Sequence, residues 1–88
     1  MSTSSTPVAD LVGRLPRGSS EVRYAGGRWA VTVTERAGGR SLAVWAEQLG
    51  GRAYVSANVY LVGGGEAFRP CEMPAERVLD FLHGWEPA

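Results

Sequence analysis

The sequence predicts an α+β fold: an antiparallel meander of four to five strands with a C-terminal helix packed on one face. Three observations predict it. Turn signals recur as Ala25-Gly26-Gly27-Arg28, Ala37-Gly38-Gly39-Arg40 and Leu49-Gly50-Gly51-Arg52, at a period of twelve residues, and Gly63-Gly64-Gly65 follows at nearly the same interval. Between them apolar residues alternate, as a half-buried strand requires. After Pro74 the spacing becomes helical.

With 88 residues there is room for one core. Hydrophobic residues make up 44% of the chain and charged residues 20%, close to the globular average, so a packed core is expected. The expected division is a flexible N-terminal segment over residues 1–20 and a single α+β domain over residues 21–88. Pro7 to Leu15 has the makings of a short helical turn, limited by Gly13 and Pro16, and Arg17-Gly18-Ser19-Ser20 reads as a loop.

Gly-Gly between two strand-like runs signals a two-residue hairpin, because the primed turns need a positive φ that glycine adopts without steric cost. Placing each pair at a turn fixes the register. Val33 then falls opposite Val44 and Val31 opposite Ala46, and in the next hairpin Ala46 meets Val55, Val44 meets Ala57 and Leu42 meets Val59. Leu61 continues the same face. Val22, Tyr24 and Trp29 extend it through strands at about residues 21 to 25 and 28 to 36. This face is the expected core.

The other face carries Thr32, Thr34, Ser41, Ala43, Trp45, Glu47, Tyr54, Ser56, Asn58 and Tyr60. It is polar but aromatic. Glu66 to Pro70 reads as a short fifth strand, with Pro70 suited to a strand end. The orientation of Phe68 depends on the length of the glycine loop before it. Pro74 suits a first helical turn, and Val78, Leu79, Leu82 and Trp85 form one apolar stripe for covering the core. Gly84 reads as the helix stop.

The formal net charge is zero, so the basic field that drives non-specific nucleic-acid binding is missing. A β-sheet DNA reader using Arg23, Arg28, Arg36 and Arg52 is the least favoured function for that reason. All nine basic residues are arginine, a codon bias expected of a GC-rich bacterial genome. No apolar run is long enough to span a bilayer, and Met1 to Thr6 lack the basic and apolar regions of a secretory signal, so a cytoplasmic location is expected. One cysteine, Cys71, and one histidine, His83, form neither a disulfide nor a protein zinc site, and no cofactor is expected.

Two places carry candidate chemistry. Trp45, Tyr54, Ser56, Asn58 and Tyr60 on the outer face combine stacking area with donors and acceptors, and would suit a protein or small-molecule ligand. Arg28, Leu49 and Arg52 fall in one row at the end of that face, offering an anion contact, with Glu47 near enough to pair with either arginine. Cys71 precedes a helix start, where backbone N–H groups favour a thiolate. The plainer reading of Cys71 is a small buried hydrophobe at the strand-to-helix junction.

Gly27-Arg28-Trp29-Ala30-Val31-Thr32, Gly38-Gly39-Arg40-Ser41, Trp45-Ala46-Glu47-Gln48-Leu49-Gly50-Gly51, Val55-Ser56-Ala57-Asn58-Val59-Tyr60 and Pro70-Cys71-Glu72-Met73-Pro74 resemble a family of small bacterial proteins often labelled peptide methionine sulfoxide reductase. The resemblance covers about residues 24 to 84. It implies a nucleophilic cysteine, and Cys71 is the one residue onto which that role carries. The chain has no second cysteine to resolve a sulfenic acid. The expected function is thus a non-catalytic binding or regulatory module acting through the outer face. The alternative is a Cys71-dependent thiol redox protein. A core this small also makes a homodimer compatible with the sequence.

Overall fold

A computed structural model gives the structure of residues 7–88. Helix α1 (Val8–Gly13) leads into strands β1 (Gly18–Tyr24) and β2 (Gly27–Arg36), then β3 (Ser41–Gln48), β4 (Tyr54–Val62) and β5 (Gly65–Pro70). Helix α2 (Ala75–Gly84) and the two-residue strand β6 (Glu86–Pro87) follow. All pairings are antiparallel in one six-stranded sheet of order β5-β4-β3-β2-β1-β6. The expected fold class holds, with one more strand than expected.

The register of the central strands follows the glycine pairs: Val33 faces Val44, Val31 faces Ala46, Ala46 faces Val55 and Leu42 faces Val59. The first hairpin is shifted. Its two turn residues are Ala25 and Gly26, with φ of 51° and 78°, so Tyr24 pairs with Gly27 and Val22 with Trp29. Positive φ at both positions makes this a type I′ turn, whose twist matches that of the strands. A shift of two residues leaves every side chain on its face.

Helices α1 and α2 pack on the same face of the sheet. The core comprises Val22, Trp29, Val31, Val33, Leu42, Val44, Ala46, Val55, Ala57 and Val59 from the sheet, and Leu11, Val12, Leu15, Val78, Phe81 and Leu82 from the helical side. Phe81 sits at its aromatic centre, with ring centroids 5.0 Å from Tyr24 and 5.4 Å from Trp29. Leu79 and Trp85, expected in the covering stripe, are only partly buried against it. The helix is therefore rotated so that Phe81 takes the innermost place.

The segment expected as a flexible lead-in contributes to the core from Val8 onward, and β1 begins at Gly18 rather than near residue 21. Residues 1–6 of that segment lie outside the described residues. Pro7 offers no side-chain cap to α1. Glu66 of β5 supplies it instead, its carboxylate accepting from the N–H groups of Val8 at 2.7 Å and Ala9 at 2.9 Å. A carboxylate at this helix end satisfies two otherwise unbonded donors and complements the dipole.

Between β4 and β5 the loop is a two-residue turn, Gly63-Gly64, so Phe68 lies opposite Val59 and points to the core. Leu61 departs from expectation. It keeps the inward register but is 40% exposed, because the core ends before it. Helix α2 starts where β5 ends and delivers β6 to β1, so it crosses the sheet from one edge to the other.

Candidate functional site

Both helices cover one face, and among the described residues no element covers the other. In the middle row of that face the register places Ser19, Thr32, Trp45 and Ser56 side by side, and the Cys71 N–H donates to the Ser56 carbonyl at 2.9 Å. The row therefore runs from Ser19 to Cys71. One step along the strands lie Glu21, Ala30, Glu47 and Tyr54, and one step the other way lie Thr34, Ala43, Asn58 and Arg69.

Trp45 and Tyr54 are diagonal neighbours on adjacent strands, close enough for aromatic rings to meet. They stack, with centroids 5.2 Å apart and planes inclined by 26°. Trp45 remains 45% exposed. Its indole N–H donates to Glu47 Oε1 at 3.2 Å, an i to i+2 contact that the strand pleat allows. With Gln48, Gly51, Arg52 and Ala53 these three residues line a depression of about 280 Å³ at the β3–β4 end of the face.

The expected pairing of Glu47 with an arginine does not form. Arg28 pairs with Glu21 on the neighbouring strand, and Glu47 has no ion-pair partner among the described residues. Cross-strand geometry explains the choice, since the β1–β2 register sets Glu21 beside Ala30, diagonal to Arg28. The shifted first hairpin also sets Arg23 directly opposite Arg28, a neighbour that the expected register did not provide.

Cys71 is the largest departure from the plainer reading of the sequence. It is half-buried, and its side chain lies on the outer face rather than in the core. Asn58 Nδ2 approaches its Sγ at 3.8 Å as a donor. Its placement could be read only once the β4–β5 turn was fixed at two residues, because that length sets which face each β5 residue occupies. His83 is exposed in the last turn of α2, at the far end of that helix from Cys71.

Of the residues selected from sequence, the structure brings Trp45, Tyr54, Ser56, Asn58 and Cys71 into adjacent rows, with Arg52 at their margin. Tyr60 shares the face and is 40% exposed, but lies two rows beyond Trp45, opposite Ser41 and Ala67. Arg28 sits beside Leu49 at the same end of the strands as Arg52, but two strands from β4, where with Arg23, Tyr24, Gly84 and Glu86 it borders a separate hollow of about 550 Å³. Among the described residues no three His, Cys, Asp or Glu side chains cluster as metal ligands would. Compared with family models, curated proteins and solved structures, the chain gives no match to any of them.

Proposed function

We propose that this protein is a non-catalytic binding or regulatory module that engages a protein or small-molecule partner through the open face of its sheet. The observation that carries the reading is the Trp45–Tyr54 stack, with Trp45 exposed and Ser56 and Asn58 beside it on the same face. An aromatic surrounded by small polar side chains is the composition of recognition surfaces, supplying contact area at low entropic cost. The experiment is native mass spectrometry of the protein with whatever it co-purifies, repeated for Trp45→Ser. Loss of the bound species with an unchanged melting curve supports the reading. A partner retained by that variant, and by Asn58→Ala, overturns it.

A second reading is favoured by the position of Cys71, whose thiol is half-buried on the same open face. In that reading the thiolate attacks a methionine sulfoxide, releasing methionine and leaving the oxygen on Cys71 as a sulfenic acid; one external thiol displaces water to form a mixed disulfide, and a second frees Cys71 and leaves as the external disulfide. Reduction of a methionine sulfoxide peptide that disappears in Cys71→Ser would replace the non-catalytic reading with this one.

A further inference from the structure

We infer that the partner of the Trp45 end of the open face is a second copy of this chain, docked about a two-fold axis. The inference rests on the proposed use of that face for binding, and names its occupant. An isologous interface brings the same patch of both copies together, so any charge on it must meet its opposite on the same patch. The Trp45 depression has that property. It is lined by one acid, Glu47, and one base, Arg52, which are not within ion-pairing distance of each other or of any other charged partner among the described residues. Of the other charged groups at this end of the sheet, Glu21 and Arg28 pair with each other.

The apolar part of the patch adjoins Glu47, with Tyr54 opposite it and Trp45 one row further along β3. Trp45 is stacked on Tyr54, and Leu49, 45% exposed, adjoins Arg28 in the next row. An aromatic centre with a charged rim is the anatomy of a specific interface. In the dimer Glu47 of each copy meets Arg52 of the other, twice by symmetry, while the Trp45–Tyr54 stacks bury each other. The indole N–H bond to Glu47 holds one carboxylate oxygen and leaves the other free for the guanidinium.

Sedimentation equilibrium on the full chain tests this by charge reversal. The wild type is expected to dimerise with a Kd below about 100 μM, the affinity of a small specific interface. Glu47→Arg and Arg52→Glu should each weaken self-association at least tenfold, because each sets like charges against one another. An equimolar mixture of the two variants should regain wild-type affinity as a heterodimer, and so should the double variant Glu47→Arg/Arg52→Glu. Each residue is at the surface, so the folded state of every variant is checked by its melting curve. A wild type that stays monomeric at about 1 mM, or folded variants whose mixture does not associate, would overturn the second-copy inference. Partner loss in Trp45→Ser is scored separately, so failure of the dimer is distinguishable from failure of the binding reading.

Discussion

The two faces of the sheet are built from the same strands, yet one side of every central strand is closed and the other open. Toward the helices, Val31, Val33, Val44, Ala46, Val55, Ala57 and Val59 are all buried. Their neighbours one position away, Thr32, Trp45, Ser56 and Asn58 among them, are half-buried or exposed. The strand period of two makes this division automatic. What it teaches is that core packing and surface chemistry are separable here, since a change on one face leaves the side chains of the other in place.

The sharpest break of that comparison is a charge on the closed side. Val44 lies in the middle strand of the core, and Val44→Asp should abolish cooperative thermal unfolding monitored by circular dichroism, because a buried unpaired carboxylate costs more than so small a domain can spare. A wild-type melting curve would refute the assignment of faces. Phe81→Ala should cost about 3–5 kcal/mol in chemical denaturation, the usual range for emptying a buried aromatic site. The Glu66 cap comes next in size. Glu66→Ala should lose about 1 kcal/mol and raise amide exchange in α1 while sparing β3. On the open side, Ser41→Lys should shift stability by less than about 0.5 kcal/mol. A loss of several kcal/mol there would show that the face is covered.

How much of this was legible follows from the range of the signals. The β2–β3–β4 register is local, set by Gly38-Gly39 and Gly50-Gly51 against alternating valines, and the open face with Trp45, Tyr54, Ser56 and Asn58 follows from it. The first hairpin turns two residues away from the register its Gly-Gly pair predicts, because Ala25 accepts a positive φ that glycine would be expected to occupy. Strand β6 has only two residues, one of them proline, and such a strand has no periodicity to read. Helix α1 carries no local sign that it belongs to the domain, because its cap comes from elsewhere in the chain. Glu66 is remote in sequence and reaches it only through the tertiary fold. For the site, the face of Cys71 depended on a turn length, and the choice of Glu21 over Glu47 by Arg28 depended on the corrected register.

The passage of α2 across the sheet bears on the order in which the molecule assembles. Each of the first four strands pairs with its immediate successor, so the five-stranded meander can zip through a series of short loop closures. Strand β6 has no such option, because its partner β1 lies near the other end of the chain and is reached only after α2 has found its seat. The entropic penalty of the longer loop is modest, about 0.6 kcal/mol for each doubling of length, but it precedes a reward of only two paired residues. β6 is therefore the last strand to join and the first to leave, and native-state hydrogen exchange should find the Glu86 amide, the one N–H this strand carries, opening well below the global unfolding free energy that protects β3.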